Sequence, residues 1–351
     1  MVHYYRPRSV STPSKSHIVL TTLPSPPRLS LFSFSWTKKL LGILMVGVGM
    51  MTPDIALADH HAPSAPDIPS DITNVPLQFD LTDPEEALKA RRRIFCSAVD
   101  GEPAIFWWQG DMYSRVPGER DRHLFDVQGV NVRACGTHTN ELGSYGYRMV
   151  SREVMLYIDP ETQEVLDTWQ NPWTDQTVEV FHVANDPVNG RPRFAYTEEG
   201  SYEFTGLFAN GQLFLRSVVP LFYPNPLGGD FQDYVGGTYH AMELFDYMLP
   251  EAELLDATTD TVDTVLIGWN RLSNWLPWMQ MGDRPGLLIF DAVGMRASSW
   301  DELPDILRRE IEAEYPLYQS PPPLDDDRPN ATSWTNFRDY IQDQRDQTTK
   351  P

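Results

Sequence analysis

"SYEFTGLFANGQLFLRSVV" (Ser201–Val219) is the stretch whose reading decides the fold class. Two β-prone apolar runs flank Asn210-Gly211, a pair that tolerates the left-handed backbone of a two-residue turn, so the segment predicts a β-hairpin. Working outward, the same pattern recurs from Ala104 to about Ala297. "AIFWWQGDMYSRV" (104–116) predicts two short strands with a turn at Gly110-Asp111, and "HLFDVQGVNVRACGT" (123–137) alternates with glycine interruptions. "GYRMVSREVMLYID" (146–159) turns through Asp159-Pro160-Glu161-Thr162 into "PETQEVLDTWQ". "TVEVFHVA" (177–184) reads as one strand with Val178, Val180 and His182 on one face. "DTVLIGWNRLS" and "GLLIFDAVGMRA" add two more. Strands joined by short turns make an antiparallel meander, not a parallel α/β array.

Helix is the minority. In "LTDPEEALKARRRIFCS", Thr82 or Asp83 caps a short helix with Pro84 at its first position. "YHAMELFDYML" (239–249) is compatible with a helix, and "SWDELPDILRREIEAEY" (299–315) predicts one capped by Ser299 with Leu307 and Ile311 inward. A Pro-rich strap then leads to a short helix started by Thr332 or Ser333. The expected fold is mainly β: a large antiparallel meander closed into a barrel, since a long open edge invites aggregation, with a few short peripheral helices, one near 300–314. An open, strongly curved sheet packed on the C-terminal helix is the alternative.

"KKLLGILMVGVGMMTPDIALAD" (38–59) has a basic pair, a short apolar run and the motif Ala56-Leu57-Ala58, the signature of an export signal too short to span a bilayer. The expected organisation is therefore an extension plus signal over 1–58, removed in the mature chain, an extended linker over 59–79, and one mainly β domain over 80–345. Residues 1–58 hold six of the 28 Lys/Arg and one of the 49 Asp/Glu, so the rest carries 22 bases against 48 acids, a net charge of −26. That charge argues against nucleic acid and anionic membrane surfaces as partners. The expected location is periplasmic or secreted, or the thylakoid lumen if residues 1–35, Ser-rich and free of acids, are a transit peptide. No stable membrane insertion is expected once the signal is gone. Cys96 and Cys135 are the only cysteines, and they read either as one disulfide or as two buried thiols.

Several stretches resemble a known family: "FWWQGDMYSRVPGE", "EVMLYIDPETQEVLDTWQNPWT", "VEVFHVANDPVN", "NPLGGDFQDYVGGTYHAMELFDY", "WLPWMQMGDRPG" and "RPNATSWTNF". They resemble the uncharacterised bacterial and fungal family catalogued as domain of unknown function 1838, over about residues 79–340. The resemblance implies no activity and assigns no residue a role.

The chain lacks a G-x-S-x-G elbow, a dinucleotide fingerprint, a P-loop and H-E-x-x-H, which removes the common hydrolase, nucleotide and zincin readings. His182 sits among apolar residues. His240 and Glu243, three apart, would share one face of a helix. His182, His240 and Glu243, joined by Glu153 or Asp186, are the candidate proton carriers, or alternatively metal ligands; each also reads as a satisfied polar group in a β core. In "NWLPWMQMGDRPG" (274–286), Trp275, Trp278 and Met279 are candidate pocket walls, with Trp108, Trp173, Arg216 and Tyr239 contributing from elsewhere. Aromatic side chains filling a barrel without any ligand is the competing reading.

The sequence thus predicts an exported protein holding an apolar or aromatic small molecule, with or without cofactor-independent acid/base chemistry of the isomerase, cyclase or lyase type. The alternatives are a metal-dependent enzyme and a non-catalytic filled core; any cofactor is unknown.

Overall fold

Alternation of side chains across long β-prone runs produces the central element of the computed structural model, which describes residues 77–224 and 238–349. The expected export signal over residues up to 58, the 1–35 extension and nearly all of the expected linker lie outside the described residues. Six long strands and one shorter one build the framework: β1 (Ala104–Arg115), β2 (Arg122–Thr139) and β3 (Tyr145–Ile158), then β11 (Gln212–Pro224), β12 (Thr238–Pro250), β13 (Leu266–Ser273) and β14 (Leu287–Ala297) beyond a region of short strands. The short strands are β4 (Thr168–Gln170), β5 (Thr177–Glu179), β6 (Val183–Asn185), β7 (Arg193–Phe194), β8 (Tyr196–Thr197), β9 (Gly200–Ser201) and β10 (Leu207–Ala209). The main sheet runs β10-β11-β12-β13-β14-β1-β2-β3-β6, with β7 also paired to β3, and every pairing is antiparallel. Among the described residues β10 and β6 do not pair, so the described sheet is open.

Asn210 (φ 54°) and Gly211 (φ 73°) both adopt positive φ, and the hairpin they predict joins β10 to β11. The turn after Asp159 forms as expected, its Oδ1 accepting from the amides of Glu161 and Thr162. Three expectations fail. Gly110 is not a turn: β1 runs straight through it, opposite Ala292, and a Cβ there would lie 2.1 Å from the Asp291 carbonyl oxygen. The glycine marks a close strand approach instead. Residues 239–249 are not a helix but lie in β12, paired on both sides, so its β-prone aromatics prevail in a sheet context. "TVEVFHVA" is not one strand: β5 pairs with β4 and β6 with β3, and His182 falls between them.

One face of the sheet carries the main core, including Phe106, Met112, Phe125, Val127, Tyr157, Trp269, Trp278 and Phe290. The other face is covered at β2 and β3 by α3 (Asp305–Glu314), whose Leu307 and Ile311 are fully buried against Val130, Val132, Val154 and Leu156. Each of those two side chains contributes roughly 1.5–3 kcal/mol of burial. Ser299 does not cap this helix; a short 3₁₀ turn over Trp300–Glu302 intervenes, and α3 starts after Pro304. Trp107 and Trp108 face opposite sides, as strand geometry requires: Trp107 packs on the α3 side and Trp108 on the main core.

At one end of the core, α1 (Pro84–Phe95) is capped by Asp83 and buries Leu88, Ala90 and Ile94, next to α2 (Glu251–Leu255). Cys96, just after α1, is disulfide-bonded to Cys135 on β2. At the opposite side α4 (Ser333–Thr349) docks on β6, where Asn336 Nδ2 donates to the Ala184 carbonyl and to Asn185 Oδ1. Its Trp334 ring lies 4.5 Å from that of Tyr239 on β12.

Candidate functional site

Strand parity gathers an unusual set of polar side chains on the core face. Tyr239, Glu243, Phe245 and Tyr247 share it on β12, Trp269 and Arg271 on β13, Trp108 on β1, Asn131 and Arg133 on β2, and Glu153 and Tyr157 on β3. Trp108 fits because glycine is its neighbour on both adjoining strands. A Cβ on Gly129 would lie 2.3 Å from the indole ring, and one on Gly294 would lie 2.8 Å from the Trp108 Cα.

Arg271 organises the centre. Its Nη1 lies 3.2 Å from Glu243 Oε1, its Nη2 donates to the Tyr239 hydroxyl, and its guanidinium lies over the Phe290 ring. Burial works against its charge, but Tyr239, Glu243 and Tyr157 more than offset this and raise the group above the ordinary arginine value. Glu153 accepts a hydrogen bond from Asn185 Nδ2 at 2.7 Å. Burial pushes its carboxyl upward and neighbouring Glu243 adds to that, against the lowering effects of the Asn185 bond, Arg271 and Arg133. Arg133 donates through Nε to Asn131 Oδ1 at 2.7 Å and stands over the Phe106 ring. The centre remains open to solvent: Arg271 and Glu243 keep 14% and 18% of their side chains exposed, though the rings around them are closed. Two acids, two guanidiniums and a tyrosine hydroxyl in such surroundings can exchange a proton and stabilise an adjacent negative charge.

The "NWLPWMQMGDRPG" segment has a different character. Trp275, Trp278 and Met279 are all buried, and Trp278 packs on Phe125, Tyr157 and Trp169. Trp275 Nε1 donates to the Arg284 carbonyl, and Asn171 Nδ2 donates to that of Met279. Trp173 sits at the rim beside Trp275, its Nε1 donating to Glu119. This is an aromatic floor closed on itself.

The three candidate proton carriers are not brought together. Glu243 lies in the centre. His240, an odd number of residues away on a strand, points to the opposite face against Phe222. His182 packs behind Tyr157; its Nδ1 accepts from the Tyr157 amide, and burial lowers its pKa to about 4 despite a bond to the Leu166 backbone. It is a neutral brace between chain segments. Arg216 is not inward either: it leaves 76% of its side chain exposed on the outer face, beside Asp246. Asp186 is held by Arg152 and Arg328 away from Glu153. Of the expected ligand-binding residues, Trp108 and Tyr239 share the centre's face. On the opposite face Asp111, His123 and Asp126 bring ligand-type atoms within 4.8 Å, with His123 Nε2 3.0 Å from Asp126 Oδ1. Tyr113 and Gln163 hold the second oxygens of those carboxylates.

Sequence reasoning missed Arg271, Arg133 and Asn131. Their signal was parity: Arg271 alternates in phase with Ile267 and Trp269, and Asn131 and Arg133 with Phe125 and Val127.

Fold and centre together define a mainly antiparallel β protein with an acid–arginine cluster set into its aromatic core. The chain belongs to the family described as "Protein of unknown function (DUF1838)", whose model matches residues 101–341. No curated protein matches it.

Proposed function

We propose that this is an exported protein that binds an apolar or aromatic small molecule against the Trp108, Phe245 and Trp269 rings and acts on it by cofactor-independent acid/base chemistry. The observation that carries the reading is Glu153: a carboxyl biased toward its neutral form, beside a second carboxylate, in a solvent-reachable aromatic setting. In this scheme Glu153 gives a proton to the bound compound or takes one from it. Arg271 and the Tyr239 hydroxyl stabilise the negative charge that develops on a substrate oxygen, and Glu243 holds Arg271 in place.

The Cys96–Cys135 disulfide supports export, since such bonds persist in oxidising compartments. The barrel expected from the sequence enters as part of the same reading. Helix α4, bonded to β6 through Asn336 and packed on β12 through Trp334, would complete the wall between the two ends of the sheet.

The test begins with native mass spectrometry of protein taken from its own exported compartment, to identify a retained compound. Turnover of that compound is then followed in deuterated water. Wild type should incorporate solvent deuterium into the product, and Glu153→Gln should lower the rate by at least about 100-fold, the usual scale of a lost general acid or base. Equal rates in the two proteins would remove Glu153 from the chemistry.

A further inference from the structure

Around Arg271, several buried polar atoms have no hydrogen-bond partner. They are Arg271 Nε and the indole Nε1 atoms of Trp108, Trp269 and Trp334, and Trp269 and Trp334 are only 6% and 1% exposed. All four are donors. Trp269 lies two residues from Arg271 on the same face, both lie against Phe290, and the Trp108 ring is 5.8 Å from that of Trp269; the Trp334 ring packs at a tilt on Tyr239, which is bonded to Arg271. A buried donor left unmet costs about 1–3 kcal/mol, so four in one place mark a position where acceptors are missing.

Charge points the same way. Arg271 is matched by Glu243, whereas Arg133 has no carboxylate within ion-pairing distance among the described residues. The centre therefore holds one guanidinium with no ion-pair partner.

Resting on the binding site proposed above, we infer that its ligand is a monoanion: an aromatic or apolar compound bearing one carboxylate, seated with its oxygens toward Arg271, Trp269 and Trp334 and its ring against Trp108 and Phe245. A planar carboxylate offers two acceptor oxygens at a spacing suited to a guanidinium edge and an indole N–H. A phosphate dianion would bring two charges to one unpaired guanidinium, beside the Glu243 and Glu153 carboxyl groups.

The purified full chain is titrated at pH 7 with benzoate, cinnamate and 2-naphthoate, each against its primary amide, by tryptophan fluorescence and calorimetry. At least one carboxylate should bind 10-fold or more tighter than its amide. Trp269→Phe, which keeps a ring and removes the N–H, should weaken the carboxylate about 3- to 10-fold and the amide by less, so that the preference for the acid narrows. Amides binding as tightly as the acids, with both weakened by Trp108→Ala, would overturn the anion preference and leave the aromatic site standing. If neither class binds, the site reading and this inference fall together.

Discussion

The aromatic floor around Trp275 and Trp278 and the centre around Arg271 use similar residues to opposite ends. On the floor, Trp275 donates to a backbone carbonyl, Asn171 braces the chain from behind, and three aromatic rings close around Trp278, whose own Nε1 is unmet but has no charged group among its ring neighbours. In the centre, Trp269 and Trp334 keep unmet N–H groups beside two acids and two arginines. The difference teaches that aromatic density alone does not mark a site. Unmet donors next to incompletely matched charge do, because a fold gains nothing by leaving them so.

The largest effect expected is on the floor. Trp278→Ala should destabilise the protein by about 3–5 kcal/mol, the usual cost of deleting a fully packed aromatic, measured by denaturant unfolding. A loss under about 1 kcal/mol would mean that the floor is loosely packed, and would blur the contrast.

The contrast should also appear as two opposite pH dependences. His182, with its folded pKa lowered to about 4 from an ordinary 6.5, contributes stability that is present above pH 6.5 and is lost as pH falls toward 4. The loss can reach about 3 kcal/mol, and His182→Gln should remove most of that acid sensitivity. Glu153 has the opposite sign. Its folded pKa is raised, so its contribution is full below its unfolded value and is lost as pH rises through the folded one. Glu153→Gln, which can still accept from Asn185, should therefore gain stability relative to wild type as pH rises, and the gap should close on acidification. Unfolding midpoints of the three proteins between pH 4 and 8 check both signs, and parallel profiles would contradict the assignment.

The smallest effects belong to the outer face. Arg216→Ala and His240→Ala should change stability by less than about 0.5 kcal/mol and leave ligand affinity unaltered, as measured by unfolding and by calorimetry with whichever carboxylate binds. A large loss of binding in either would mean that the centre extends through the sheet.

What the sequence by itself determined follows from local rules. The Asn210-Gly211 hairpin, a helix start capped at Thr82 or Asp83, the Asp159 turn, the inward Leu307 and Ile311 and the opposed Trp107 and Trp108 all depend on turn chemistry or on side-chain period. The family, too, was legible in long motifs. Tertiary structure decided the rest. Residues 239–249 carry both helical and strand patterns, and only pairing with β11 and β13 selects the strand, which sends His240 and Glu243 to opposite faces. Gly110 reads as a turn until a neighbouring strand passes too close for a Cβ. Whether Cys96 and Cys135 meet depends on where α1 docks against β2, which spacing does not encode. The cluster of Glu153, Glu243, Arg133 and Arg271 comes from three different parts of the chain, so its electrostatics exist only once the curvature of the sheet brings those parts together.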